Sequence, residues 1–172
     1  MQRLASDLRS ARRREIGGLL FGEHVESDLF RVLEATVQTS GGTKADFKRD
    51  PKVHKAALEA FFAKTGHNYV KYNYLGEWHS HPSFSTDPST DDLDTMHQIV
   101  ADPSVGANFA VLIIVKLTSA RSLELSATAF FAGGACEAID VVIEQSPPNL
   151  VGKALKAIVQ AFTRKSSGRR VI

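Results

Sequence analysis

Apolar positions along this chain switch repeatedly between helical and strand periodicity. Leu4, Leu8 and Ala11 fall on one stripe and predict a helix over 2–14, with Arg12, Arg13 and Arg14 at the end where cations suit the helix dipole. The run Glu-Ile-Gly-Gly-Leu-Leu-Phe-Gly at 15–22 predicts a buried strand whose paired glycines mark a bulge or a close backbone approach. Alternation over 29–37 predicts a second strand, and the polar stretch 38–50, with Ser40-Gly41-Gly42, predicts a loop. Pro51 opens a helix to Lys64 whose apolar face is Val53, Ala57, Leu58, Phe61 and Phe62.

Residues 72–81 read as the next strand. Asp87-Pro88-Ser89 reads as a helix start, with Asp87 as the cap and Pro88 in the first turn, running to Ala101. The unbroken apolar run 109–115 is rich in β-branched residues and predicts a strand buried on both faces. Strands follow at 123–131 and 137–144 around Gly133-Gly134, and 150–162 has the pattern of an amphipathic helix. The sum is a single α/β domain, a curved mixed sheet flanked by helices.

Composition narrows the class. At 172 residues, 43% hydrophobic and 23% charged, the chain has the mass and balance of one globular domain. No apolar run approaches the roughly 20 residues that span a bilayer. The first residues lack an apolar signal core, so neither a membrane partner nor secretion is expected. Cys136 is the single cysteine, which excludes an intrachain disulfide and a thiolate-rich metal site and fits a reducing, cytoplasmic setting. Six of the 21 Lys and Arg lie beyond Gln145, where there is no acid, leaving 15 bases against 19 acids in the body. A mildly acidic body with a basic tail is not a nucleic-acid-binding profile.

The chemistry concentrates in His79-Ser80-His81-Pro82 and the following Pro88-Ser89-Thr90-Asp91-Asp92. Two imidazoles two residues apart on a strand point to one side. Asp92 lies about one helical turn after Ser89, so both share a face, whereas Asp91 and Asp94 are rotated away. Two His and one Asp are a ligand set for Zn²⁺ with one position left for water, the arrangement of a catalytic rather than a closed structural site. Such a site needs a base. Glu77, on the strand face of His79, and Glu15, at the mouth of the first strand, are equally placed by spacing alone. Trp78 and Phe84 read as packing beside the site, with Phe84 in a loop where substrate can touch it. His24, His54, His67 and His97 have no partners at ligand spacing.

Taken together, Glu15 before Ile-Gly-Gly-Leu-Leu-Phe-Gly, then His79-Ser80-His81-Pro82, then Pro88-Ser89-x-x-Asp92, resemble the JAMM signature of the JAB/MPN+ metalloisopeptidases. The resemblance covers the chain to about residue 145. It implies a cytidine-deaminase-like MPN/JAB fold over 1–148; the C-terminal helix and basic tail expected over 149–172 lie outside the match. It implies Zn²⁺ on His79, His81 and Asp92, Glu15 as general acid/base, and Ser89 as a stabiliser of the oxyanion.

The stretch Gly76 to Pro82 with the preceding Phe47-x-Arg49 loop is similar to a bacterial branch of the family. That branch is found in CBASS-type antiphage operons beside E1- and E2-like enzymes. The implied substrate is the C-terminal tail of a ubiquitin-like protein or of a conjugated nucleotidyltransferase (CD-NTase). The 92–109 segment is short for a large substrate-clamping insertion, so the chain-linkage selectivity of eukaryotic deubiquitinases is not implied. Two rivals remain: a sulfur-carrier-protein hydrolase, and a non-catalytic MPN interaction scaffold. The scaffold predicts no stoichiometric zinc.

Overall fold

The structure is a computed structural model that describes residues 2–44, 46–118, 122–143 and 157–160. Three helices, α1 (Gln2–Ala11), α2 (Pro51–Lys64) and α3 (Thr90–Ala101), pack on one mixed sheet. The strands are β1 (Gly17–Glu26), β2 (Leu29–Ala35), β3 (Tyr72–Ser80), β4 (Phe109–Leu117), β5 (Leu123–Phe131), β6 (Cys136–Ala138), β7 (Asp140–Ile143) and β8 (Ala157–Gln160). Their spatial order is β6-β5-β4-β3-β1-β2-β8-β7. Only β3 and β4 run parallel, and α3 is the crossover that joins them.

The strand expected at 137–144 is observed as β6 and β7, separated by Ile139 alone, yet these two occupy opposite ends of the strand order. One stretch of backbone therefore pairs with β5 at one end and with β8 at the other, and the sheet curls until its ends meet. The Ile139 N–H continues the join by donating to the Ala127 carbonyl at 3.0 Å. Closure removes the long edges that an open sheet would expose. Glu144 lies outside the described residues.

The faces follow from alternation along β4. Val111, Ile113 and Val115 point toward α1 with Leu8, Ala11, Ile16, Leu20 and Trp78. Ala110, Leu112 and Ile114 point the other way, toward Met96 and Val100 of α3. On that second face α2 seats Phe61 against Leu19 and Phe21, with the Phe21 and Phe61 rings stacked at 4.7 Å. β4 is thus buried on both sides, as its continuous apolar run requires.

Three expectations are corrected. The α3 cap is Ser89, not Asp87: its hydroxyl accepts from the Asp92 amide while the Asp92 carboxylate takes the Ser89 amide. This reciprocal box satisfies two helix-end donors at once, which a cap at Asp87 could not do. In α2 the expected face packs through Ala57, Leu58, Phe61 and Phe62, but Val53 is 45% exposed and His54 is buried in addition. The helix expected over 150–162 is, at 157–160, the strand β8, paired with β2 and β7. The β-branched Ile158 and Val159 suit a strand, and long-range pairing outweighs the local helical pattern there. The rest of that stretch is outside the described residues. Among the described residues no helix is long and apolar enough to cross a membrane.

A bulge in β3 sets which side chains face the helices. Leu20 pairs with Gly76 and Phe21 with Tyr74, so Leu75 is the extra residue. Leu75 turns to the α1 side, while Tyr74 faces α2 and α3. Gly76 makes this possible with φ of +143°, and a Cβ there would lie 2.0 Å from the Val111 carbonyl oxygen. Gly76→Ala is expected to destabilise the fold by at least about 2 kcal/mol through backbone strain and overpacking, read as a lower urea midpoint. A midpoint equal to wild type would show that the bulge tolerates a side chain.

Candidate metal centre

The centre is built at the C-terminal end of β3, where strand register does the positioning. Gly17 pairs with His79, and Ser80 donates its amide to the Ile16 carbonyl at 2.8 Å. The Ser80 hydroxyl, turned to the opposite face from the two His, accepts the Ile16 amide at 3.0 Å. Continuing this antiparallel register sets Glu15 opposite His81, and opposed residues share a sheet face. Ser80, given no role in the motif reading, is thus the hydroxyl that ties the Glu15 segment to the strand of the two His. Its signal was its place between them, facing away.

His79, His81 and Asp92 come together: one potential ligand atom from each lies within 4.8 Å of the others. The His79 and His81 Nε2 atoms are 3.1 Å apart. Asp92 Oδ1 lies 3.3 Å from His79 Nε2, and Oδ2 lies 3.7 Å from His81 Nε2. Ligands about 2.0–2.1 Å from a tetrahedral zinc would be separated by about 3.3–3.4 Å, so these spacings fit such an ion. The tautomer also fits. His81 Nδ1 donates to the Ser85 carbonyl at 2.7 Å, which leaves the Nε2 lone pair facing the cluster.

Asp92 reaches the cluster because it is the third residue of α3. Ser89 holds it there: the amide donates to Oδ2 at 2.8 Å and the hydroxyl donates to the same oxygen at 2.6 Å. Burial favours the protonated form of Asp92, but the hydrogen bond and charge of His79 and the two bonds from Ser89 outweigh it. The carboxyl is held well below the usual range. In this arrangement the Ser89 proton is committed to Asp92, so donation to a substrate oxygen requires the hydroxyl to rotate. The loop before α3 is fastened by Ser126, whose hydroxyl donates to the Thr86 carbonyl. Phe84 projects from it, 51% exposed and edge-on to His81.

Glu15 is buried, at 4% exposure, and its carboxylate has no hydrogen bond or ion pair among the described residues. Burial pushes its pKa up to about 7; His79 opposes the rise, and Asp92 and Asp46 add to it. Glu77 has a different environment. Arg49 forms an ion pair with it and Tyr74 hydrogen-bonds to it, while burial still leaves its pKa raised. One carboxylate near the cluster is therefore free to exchange a proton and the other is engaged. A cavity of about 710 Å³ lies at the far end of β3, between Tyr74, Leu58, Ile99 and Phe109, and the three clustered residues are not among its walls.

The profile of a family described as prokaryotic homologs of the JAB domain matches residues 1–126. The chain belongs to that family. A relative from Enterobacter hormaechei subsp. hoffmannii (strain UCI 50), named CD-NTase/cGAS isopeptidase, is 33% identical over 131 residues, covering 74% of this chain and 69% of the relative. A solution structure of a protein from Desulfitobacterium hafniense superposes with a TM-score of 0.58 at 17% identity, over 86% of this chain and 90% of that one, and shows the shared fold.

The raised pKa of Glu15 has a measurable consequence in metal-free protein. Its unfolded carboxyl titrates near 4.5 and its folded one near 7, so between those values the native state binds more protons and stability falls as pH rises. Glu15→Gln removes this slope. The stability of the variant relative to wild type, measured by urea melts in chelator, is expected to grow from pH 4.5 to 7 by at most about 3 kcal/mol and then level off. A difference independent of pH would show that Glu15 is not held in this environment.

Proposed function

We propose that the chain is a zinc-dependent isopeptidase that releases a protein conjugated through the C-terminal tail of a modifier. The observation that carries this reading is the convergence of His79, His81 and Asp92, with a buried Glu15 whose carboxyl feels the charge of His79 and Asp92. The 33% identical relative, by its name an isopeptidase for CD-NTase, supports both the reaction class and a CD-NTase tail as substrate.

His79 and His81 through Nε2, and Asp92 through its carboxylate, would hold the ion. Zn²⁺ bound there supplies a Lewis acid for the scissile carbonyl and lowers the pKa of a coordinated water to about 7. Glu15 takes the proton from the attacking water and delivers it to the leaving amine. Burial raises the Glu15 pKa in the metal-free protein, and a bound cation would draw it down toward the carboxylate that accepts a proton. Ser89 positions Asp92 in the resting site and, on rotation, offers its hydroxyl to the developing oxyanion. Phe84, exposed beside His81, forms an apolar wall for the substrate tail. The modifiers are a CD-NTase or a ubiquitin-like protein, conjugated by E1- and E2-like enzymes in antiviral defence.

The test is a panel of CD-NTase and ubiquitin-like C-terminal tails fused to a reporter. Wild type is expected to cut at least one fusion, with activity lost to chelator and restored by Zn²⁺. Glu15→Gln is expected to keep about one zinc per chain and lose activity by roughly 10²–10⁴-fold. Asp92→Ala is expected to lose both. Stoichiometric zinc without cleavage of any fusion would overturn the substrate assignment, and wild type without zinc would overturn the metal reading.

A further inference from the structure

We propose that the ion pair between Arg49 and Glu77 is a positioning device: it pins the 38–50 loop to β3 and thereby holds Glu15 in place against His79 and His81. This rests on the functional reading above and adds to it two residues outside the His79, His81 and Asp92 cluster.

Packing does not require the pair. The Glu77 side chain is 7% exposed and lies between Leu19 and Leu112 in the sheet register, on the face covered by α2 and α3. An apolar residue would fill that position, and replacing a buried ion pair by apolar side chains is often neutral or stabilising. A carboxylate retained here, with Arg49 and Tyr74 both directed at it, fixes geometry rather than supplying net stability.

Arg49 also has leverage over the loop. The loop closes its own neck through Gln38, whose Nε2 donates to the Ser40 and Lys48 carbonyls at 2.8 Å each and whose Oε1 accepts the Asp50 amide at 3.0 Å. Its middle is tied to β1 and the residues before it. The Thr43 carbonyl accepts the Glu15 amide at 2.7 Å, and the Phe47 ring lies against Gly17. Arg49 ties the same loop to β3, the strand that carries His79 two residues beyond Glu77. Because the Glu15 carboxylate has no hydrogen bond among the described residues, its position is inherited from backbone held by Thr43 on one side and Ser80 on the other. A loop released from β3 transmits its motion directly to Glu15. A guanidinium is suited to the pin because its planar fork fixes direction as well as charge, which an ammonium does not.

The experiment uses the full chain with Arg49→Lys and Arg49→Gln; Arg49→Lys keeps the charge should Arg49→Gln fail to fold. Three quantities are read: hydrogen exchange at the Glu15 amide in metal-free protein, Zn²⁺ affinity with the ion alone, and kcat and KM on a CD-NTase tail fused to a fluorescent protein. In Arg49→Lys, exchange at the Glu15 amide is expected to accelerate and kcat to fall, each by at least about tenfold. KM and Zn²⁺ affinity should stay within about threefold of wild type. Unchanged exchange and kcat in a folded variant would overturn the proposal, as would a Zn²⁺ affinity that falls in step with kcat, since the pair would then act on His79. If wild type does not cut the fusion, the functional reading fails for that substrate, and exchange at Glu15 still decides whether the pin exists.

Discussion

The arrangement depends on the pairing of the first strand with the third. Gly17 lies against His79 so closely that a Cβ would be 2.4 Å from the Trp78 carbonyl and 2.9 Å from the His79 Cβ. Every alternative register moves Glu15 away from His81, and a slip of one residue turns it to the α1 side. Ser80 locks the pairing from the opposite face with two bonds to Ile16. The acid is therefore brought to the two imidazoles by strand pairing rather than by a hydrogen bond of its own carboxylate to them. Among the described residues Glu15 is consequently left without a hydrogen-bond partner, and burial raises its pKa.

Helix α3 supplies the third component by an independent device. Its capping box places Asp92 at the third helical position and directs both Ser89 donors at the oxygen farther from His79. The same residues that start the helix thus orient the carboxylate toward the strand. The parallel β3–β4 pair makes this crossover necessary, since a helix must return the chain to the starting end. Fold and site share one cause here: the connection that completes the sheet delivers the carboxylate.

Much of this was legible because it is local. A His-x-His at a strand end, a Ser-x-x-Asp at a helix start and an apolar run at 109–115 each declare their geometry within a few residues. The cap was misplaced to Asp87 because Pro88 also suits a first turn, and only the reciprocal Ser89–Asp92 bonds distinguish the two. What was not legible is non-local. Residues 157–160 carry a pattern compatible with a helix and become strand because β2 and β7 both offer unpaired backbone. Nothing near Glu77 in sequence marks Arg49, 28 positions earlier, as its partner, and spacing alone left Glu77 level with Glu15. Burial without a partner separates them, and that is a property of the assembled sheet.

We propose that the β1–β3 register presents Glu15 to the open position of a three-ligand metal centre. A crystal structure of the zinc-loaded protein, with the ion located by its anomalous signal, tests this most directly. One ion is expected about 2.0–2.2 Å from His79 Nε2, His81 Nε2 and an Asp92 carboxylate oxygen, with the Glu15 carboxylate within hydrogen-bond reach of the fourth ligand. An ion bound elsewhere, or one bound at these residues with Glu15 turned away from the fourth position, would contradict it.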